Sequence, residues 1–210
     1  MPLESYYGFA GEGSGIQAAI DEAGRGSWAG RVYTAAVVWN PEMKGGGLID
    51  YINDSKRLSP SRRDILYDFI IENAIDYSVS YMEPSQIDSM NILNATIESM
   101  HNACRTLTID FDTIIVDGNL FKPYLAENGI EIPSQCIIKG DSKYIGIACA
   151  SILAKVEHDR HMREIAKEFP HYIWDSNMGY GSSQHRDAIA KHGLCKYHRM
   201  SFEPMKSYVQ

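Results

Sequence analysis

The sequence predicts an α/β protein in which helices cover both faces of a β-sheet. Short segments rich in Val, Ile, Tyr and Thr alternate with longer segments whose apolar residues recur at helical spacing. The run Thr113-Ile114-Ile115-Val116 is continuously apolar, which is typical of a central strand buried on both faces. This order of strands and helices indicates a sheet with helices packed on both sides.

The first half of the chain is predicted to hold three strands and two helices. Strands are expected at residues 16–21, 31–39 and 76–82. Ser59-Pro60 marks the start of a helix, because a capping hydroxyl is followed by proline at the first helical position. A longer helix is expected over residues 87–107, where apolar residues keep helical spacing without interruption.

The second half predicts two further strands and two further helices. The strand at 113–116 ends in Asp117, and a shorter strand at 136–138 ends near Asp141. Helices are expected at 146–168, whose small apolar first half should be buried, and at 182–193. The loop 121–134 is expected to run over the surface without moving Asp141 from its place.

The domain organisation is predicted to be simple. Residues 1–15 should be a flexible lead-in, because their glycines precede the first apolar run instead of following a strand. Residues 16–210 should form a single domain, since 210 residues with 44% hydrophobic content suffice for one core. Four scattered cysteines, no apolar run long enough to span a membrane and no signal-peptide pattern predict a cytoplasmic protein with reduced thiols.

Acidic residues follow the predicted strands at the point where each strand ends. Asp21-Glu22, Asp117 and Asp141 occupy such positions, whereas Asp110 and Asp112 precede their strand in a polar turn. Carboxylates at the end of a buried apolar run are costly unless their charge is compensated, and a divalent cation compensates several at once. Oxygen ligands without a Cys or His pattern favour magnesium or manganese over zinc.

Two metal ions held by carboxylates suit in-line displacement at a phosphodiester. The net charge of −7 argues against a nucleic-acid partner, but the position of charges matters more than their sum. Basic residues do lie near the acids: Lys56-Arg57 in one segment, and Lys139, Lys143 and Lys155 around Asp141. The stretch 185–206 adds five Lys or Arg against two acids.

The acids belong to motifs that follow one another along nearly the whole chain. They are Asp21-Glu22-Ala23-Gly24-Arg25-Gly26, Asn53-Asp54-Ser55-Lys56, Val116-Asp117-Gly118-Asn119, Lys139-Gly140-Asp141, Ala150-Ser151-Ile152-Leu153-Ala154-Lys155-Val156, Asp159-Arg160, Gly179-Tyr180-Gly181, His185 and His198-Arg199-Met200-Ser201-Phe202. In order and composition these motifs resemble those of the type 2 ribonucleases H, and specifically of ribonuclease HII.

The resemblance implies a ribonuclease H-like fold: a mixed β-sheet flanked by helices, with a helical C-terminal extension at about residues 170–210. It also implies an endoribonuclease that hydrolyses the RNA strand of RNA–DNA hybrids and incises DNA 5′ of embedded ribonucleotides, leaving a 3′-hydroxyl and a 5′-phosphate. Such an enzyme acts in ribonucleotide excision repair, and a monomer is expected. The catalytic residues, which bind two Mg²⁺ or Mn²⁺ ions, are then Asp21, Glu22, Asp117 and Asp141.

Substrate contacts are likewise implied by the resemblance. Glycine lets the backbone of Gly24-Arg25-Gly26 approach a sugar closely enough to detect the 2′-hydroxyl, and Arg25 can contact phosphate. Tyr180 is expected to pack on the sugar that follows the ribonucleotide and to favour a deoxyribose there. Ser55 and Lys56 are expected to contact phosphate.

The sequence departs from the family pattern at a few positions. Ser182 stands where threonine is frequent, and His158 stands where arginine is common, which removes one permanent charge beside Asp159. The loop 121–134 is somewhat long. No additional domain precedes Asp21 in this sequence, which argues against the related ribonuclease HIII type.

Three other interpretations fit the sequence less well. A structural zinc site at His192, Cys195 and His198, or at His158 and His161, lacks the second ligand pair that such sites commonly have. A magnesium-dependent phosphohydrolase of small esters commonly has an Asp-x-Asp motif, whereas Asp21 is followed by Glu22-Ala23. A silent binder of RNA–DNA hybrids would have no need for clustered acidic charge.

Overall fold

The centre of the protein is a five-stranded mixed sheet. The computed structural model describes residues 3–8, 15–43 and 45–208. The strands of this sheet are β1 (Gln17–Ala23), β2 (Val32–Val38), β3 (Asp76–Met82), β4 (Thr113–Asp117) and β7 (Ser134–Ile137). They lie in the order β3-β2-β1-β4-β7. Strand β1 is antiparallel to β2 and parallel to β4, β2 is antiparallel to β3, and β4 is parallel to β7.

Helices cover both faces of this sheet, which confirms the predicted α/β class. Strand β2 is buried along its whole length. Because successive strand residues point to opposite faces, Ala35 and Val37 pack with helices α1 and α4, whereas Ala36 and Val38 pack with α3. The helices are α1 (Pro60–Asn73), α2 (Pro84–Met90), α3 (Ile92–Thr106), α4 (Ile145–Glu168), α5 (Trp174–Asn177) and α6 (Ser183–His192).

The helix predicted over residues 87–107 was wrong as a single element. The structure has two helices there, α2 and α3, with a break at Asn91. Asn91 adopts φ 67°, a left-handed value that asparagine tolerates better than most residues, and its side chain caps α3 by accepting from the amide of Asn94. Apolar spacing continues on both sides of Asn91, so periodicity alone could not reveal the break.

The predicted loop 121–134 contains a small hairpin that was not predicted, formed by β5 (Tyr124–Leu125) and β6 (Glu131–Ile132). Tyr124 is buried against the α3 side of the sheet, whereas Leu125 and Ile130 are exposed. The tip of the hairpin is therefore exposed, and the hairpin packs on the core through Tyr124 and the partly buried Ile132.

The two ends of the chain pack differently from one another. Part of the predicted flexible lead-in is a packed segment, since Glu4 exchanges backbone hydrogen bonds with Lys143 and Ile145; residues 1, 2 and 9–14 lie outside the described residues. The predicted C-terminal extension forms its own apolar cluster around the second half of α4, centred on Tyr172 and Trp174. Within the part of the chain that the structure describes, no helix is long and apolar enough to cross a membrane.

Candidate active site

The predicted acids gather at one edge of the sheet. Strands β1 and β4 are parallel, and Ile20 pairs with Val116, so Asp21 lies level with Asp117. Strand β7 runs parallel to β4 and leads into a short 3₁₀ turn, Gly140–Ser142, that carries Asp141. The carboxyl ends of parallel strands meet at the same edge, which is why acids far apart in sequence become neighbours.

Burial and the repulsion between neighbouring carboxylates shift the pKa values of Asp21, Glu22 and Asp141 in the same direction. Burial raises the pKa of Asp21 well above its ordinary value, and the charges of Glu22 and Asp117 raise it further. Burial likewise raises the pKa of Glu22 and outweighs the opposing charge of Arg25. Burial and then Asp117 raise the pKa of Asp141. The ionised forms of these carboxyls are therefore costly without a further cation.

The carboxyl oxygens are engaged in local contacts. Asp117 accepts a 2.6 Å hydrogen bond from the amide of Gly140, and Asp21 accepts from the amide of Glu22 at 2.7 Å. Glu22 lies 3.9 Å from the guanidinium of Arg25. Within the described residues, no three His, Cys, Asp or Glu side chains converge as a ready metal-ligand set. The charges of Glu22 and Asp117 nevertheless act on Asp21, and that of Asp117 acts on Asp141, so the acids are neighbours; oxygen donors of this kind are the ligands that a hard divalent cation takes.

Lys56 lies among these carboxylates, and so does an acid to which sequence reasoning gave no role. Burial alone would lower the pKa of Lys56, but Asp21 and Asp54 raise it, with smaller contributions from Asp141 and Asp117. Asp54 also contributes to the raised pKa of Asp141. Its place beside Ser55-Lys56 in a motif was the only signal in the sequence. Lys56 therefore offsets part of the acidic charge.

Ser55 occupies a different place from the one expected of a phosphate contact. Its side chain is buried, and its hydroxyl lies 2.9 Å from that of Ser151 on α4. Ser151 in turn forms a hydrogen bond with Asp21 that lowers the pKa of that carboxyl against the larger effect of burial. The buried hydroxyl of Ser55 is thus linked to the carboxyl of Asp21 through Ser151.

The predicted sugar-reading turn, Gly24-Arg25-Gly26, lies beside the acids together with Tyr180. Gly24 has φ +80°, a left-handed conformation that suits glycine, and the amide of Ser27 bonds back to its carbonyl at 3.2 Å. Arg25 and Gly26 are exposed. Tyr180 is 41% exposed, and its ring lies next to Gly26, where an added Cβ would be 3.7 Å from Cε1.

Comparison with known proteins shows the family of this chain. A family model described as "Ribonuclease HII" matches residues 18–205. A ribonuclease HII of Christiangramia forsetii is 50% identical over 186 residues, covering 89% of each chain, and one of Cytophaga hutchinsonii is 45% identical over 199 residues, covering 94% of each. The chain belongs to the ribonuclease HII family.

Solved structures agree with this ribonuclease HII assignment. A ribonuclease H2 of Pyrococcus horikoshii superposes with a TM-score of 0.73 at 25% identity and covers 91% of this chain and 96% of that one. The ribonuclease HII of Archaeoglobus fulgidus, solved in complex with PCNA, gives 0.70 at 25% identity, covering 90% and 95%. The protein is therefore a nuclease that hydrolyses the RNA strand of RNA–DNA hybrids.

Two residues of this ribonuclease HII family member lie deeper than expected. His158 is fully buried, with Nε2 3.3 Å from the Ser27 hydroxyl and Nδ1 3.1 Å from the carboxylate of Asp159. Burial lowers the pKa of His158. Lys155, expected near Asp141, places its ammonium 2.7 Å from Asp159, which also pairs with Arg63 at 3.2 Å. The charge of Lys155 is thus engaged by Asp159.

Of the residues considered as alternative zinc ligands, Cys195 and His198 bond to each other and to other protein groups. His198 Nδ1 accepts from the amide of Cys195 at 3.0 Å, and its Nε2 lies 3.2 Å from Nε2 of His185. Trp174 donates to the same His185 nitrogen at 3.0 Å. The remaining nitrogen of His185 lies 3.0 Å from the carbonyl of Tyr180, so this network ends at the tyrosine beside the turn.

Proposed function

We propose that this chain also incises duplex DNA on the 5′ side of an embedded ribonucleotide, leaving a 3′-hydroxyl and a 5′-phosphate. One observation carries the proposal. Asp21 and Glu22 end β1, and the Gly24-Arg25-Gly26 turn follows directly, so one strand end holds hydrolytic acids and a turn suited to reading a ribose. Incision of this kind begins the removal of ribonucleotides from DNA, so we assign the chain to ribonucleotide excision repair.

The four acids Asp21, Glu22, Asp117 and Asp141 are proposed to hold two Mg²⁺ or Mn²⁺ ions. The raised pKa values of Asp21 and Asp141 support this, because burial disfavours their ionised forms and added positive charge would stabilise them. A ribonuclease HIII named Bst-RNase HIII, of 17% identity and related fold, was solved with Mn²⁺. Bound divalent ions supply an activated water and stabilise the leaving oxygen in phosphodiester hydrolysis.

Recognition of the ribonucleotide is assigned to the turn and to Tyr180. A single ribonucleotide differs from its DNA neighbours only in the 2′-hydroxyl, so the reader must contact that oxygen. The exposed backbone of Arg25 and Gly26 can approach a sugar closely, because no side chain extends from the glycine. Tyr180 lies beside Gly26, where its ring can pack on the next sugar.

The test compares three end-labelled duplexes: one with a single ribonucleotide in DNA, one RNA–DNA hybrid and one all-DNA control. Each is incubated with magnesium, with manganese and with chelator. The expected result is metal-dependent cleavage 5′ of the ribonucleotide, with a 3′ end that a DNA polymerase can extend. Cleavage of the hybrid alone would overturn the ribonucleotide-incision proposal and leave the hybrid activity intact.

Strand β4 provides a matched pair of variants for the metal site. Asp117 ends this strand at the acidic edge, whereas Asp110 is exposed and precedes the other end of the strand. Asp117→Asn should abolish cleavage of both ribose-containing substrates, and Asp110→Asn should keep wild-type turnover. Equal activity of the two variants would refute the acid assignment. Binding without cleavage by the wild type would instead favour the silent binder.

A further inference from the structure

Arg199 is a buried cation without an acidic partner. Its side chain is fully buried, and in the described residues it forms no ion pair. Asp88 on α2, the acid whose charge acts on Arg199, instead accepts from the amides of Met200 and Ser201. A buried guanidinium in such surroundings is costly unless hydrogen bonds satisfy its N–H groups.

The N–H groups of the guanidinium donate to backbone carbonyls of the sugar-reading turn and of Gly30, which follows the turn. Nη2 of Arg199 donates to the carbonyl of Gly24 at 2.8 Å, Nη1 to that of Arg25 at 3.0 Å and Nε to that of Gly30 at 3.0 Å. Its own amide donates to the carbonyl of Trp28 at 2.9 Å. All three side-chain nitrogens therefore hold residues 24–30, which suits the planar, rigid fork of arginine.

These bonds also fix the direction of two amide groups. In a trans peptide the N–H points opposite to the C=O of the same unit. Because the carbonyls of Gly24 and Arg25 face Arg199, the amides of Arg25 and Gly26 face away from it. No group within the described residues accepts a hydrogen bond from either amide, and both residues are exposed. Two free donors are thus presented together on the outer side of the turn.

We propose that Arg199 is a positioning residue for ribose recognition: it holds the turn so that the amides of Arg25 and Gly26 donate to the sugar 2′-oxygen. This inference rests on the ribose-reading role proposed above. Arg199 itself does not reach the substrate, since it is fully buried behind the turn. The specificity of the site thereby depends on a residue of the C-terminal extension, far from β1 in sequence.

A positioning role and a purely structural role give different results with sugar analogues. Loss of folded protein lowers the rates on all substrates by one common factor and leaves their ratio unchanged. Misplaced amides instead weaken the contact to a 2′-hydroxyl more than the weak contact to a 2′-fluorine. The informative quantity is therefore the ratio of kcat/KM at a ribonucleotide to kcat/KM at a 2′-fluoro nucleotide in the same duplex.

The experiment compares wild type, Arg199→Lys, Arg199→Met and the control Ile189→Ala, with Tm measured for each. Ile189 is buried in the same C-terminal cluster and forms no hydrogen bond to the turn through its apolar side chain. We expect Arg199→Met to reduce the ratio by about tenfold, the value of roughly one hydrogen bond. The ratio for Arg199→Lys should lie between those of wild type and Arg199→Met, because an ammonium keeps the charge but lacks the planar set of N–H donors of a guanidinium. Ile189→Ala should keep the wild-type ratio.

An unchanged ratio in both Arg199 variants, with wild type active, would overturn the positioning role while leaving the proposed function standing. Failure of wild type to cut at a single ribonucleotide would instead overturn the proposed function. If neither Arg199 variant folds, backbone NMR of the Asp21→Asn protein tests whether the two amides contact the ribose. Ribonucleotide-containing duplex should shift the amides of Arg25 and Gly26 beyond the effect of all-DNA duplex, and equal shifts would refute the inference.

Discussion

Replacing Gly24 by alanine should be far more damaging than the same change two residues later. An added Cβ at Gly24 would lie 2.5 Å from Nε2 of His158 and 3.0 Å from the carbonyl oxygen of Arg31. The φ of +80° is also unfavourable for alanine, at about 1–2 kcal/mol. His158 is fully buried and bonded at both nitrogens, so it cannot withdraw, and overpacking of this kind costs about 1–3 kcal/mol.

The two contributions sum to about 2–5 kcal/mol, which for a chain of this size lowers Tm by about 4–20 °C. Gly26→Ala is the matched control. Its Cβ would meet only the Tyr180 ring at 3.7 Å, an ordinary contact, and Gly26 has no left-handed φ. The control should change stability by about 0.5 kcal/mol or less. Thermal unfolding followed by circular dichroism measures both variants.

A double-mutant cycle separates the steric contribution from the backbone contribution. His158→Ala removes the ring that the new Cβ would meet, so Gly24→Ala in that background should retain only the cost of the backbone conformation and of the tight 3.0 Å contact with the carbonyl of Arg31. The two substitutions should therefore couple by about 1–3 kcal/mol in the favourable direction. Additive effects, or equal losses for Gly24→Ala and Gly26→Ala, would refute the steric reasoning. In activity assays, Gly24→Ala should discriminate ribose from deoxyribose less well than wild type.

Three further predictions concern the acids, a histidine and the tyrosine. Asp21→Asn should abolish cleavage yet raise the Tm of metal-free protein, because an amide removes a buried carboxyl whose pKa burial raises; a lower Tm would contradict this. Burial lowers the pKa of His198 from 6.5 to about 4, so stability present above pH 6.5 should fall toward pH 4. His198→Asn should reduce the dependence of the free energy of unfolding on pH in this range, measured by urea titrations at several pH values. An unchanged pH dependence would show that His198 is not its source. Tyr180→Ala should weaken the preference for deoxyribose after the ribonucleotide, and Tyr180→Phe should retain it. Equal preferences in the two variants would contradict the proposal that the ring packs on that sugar.

The acidic edge could be predicted from sequence because a local pattern implied a global position. Each acid follows an apolar run, and runs that become parallel neighbours end at one edge of a sheet. The pairing of Ile20 with Val116 then places Asp21 beside Asp117 without any further information. By contrast, the break at Asn91 depends on a single left-handed residue within a pattern that is helical on both sides.

The role of Arg199 could not be predicted because its partners are backbone atoms distant in sequence. Its bond to the carbonyl of Gly24 joins residues 175 positions apart, and a carbonyl carries no sequence signal. Asp54 shows the same difficulty, since it approaches Asp141, which is distant in sequence, only after the chain has folded. For the motif at residues 198–202, the sequence identifies the residue types but does not indicate which atoms they contact.

The distribution of positive charge also differs from what a count of basic residues indicated. Lys56 is set among carboxylates, Lys155 is paired with Asp159, and Arg199 is buried. The exposed cations of the site's motifs and their surroundings are Lys56, Arg57, Lys139, Lys143, Arg25 and Arg186, and Lys56 and Arg25 lie close to acids. Since non-specific affinity for a duplex scales with the number of phosphates neutralised, this surface favours weak, salt-sensitive binding. Charge alone cannot distinguish ribose from deoxyribose, so the proposed function assigns that discrimination to the turn that Arg199 holds.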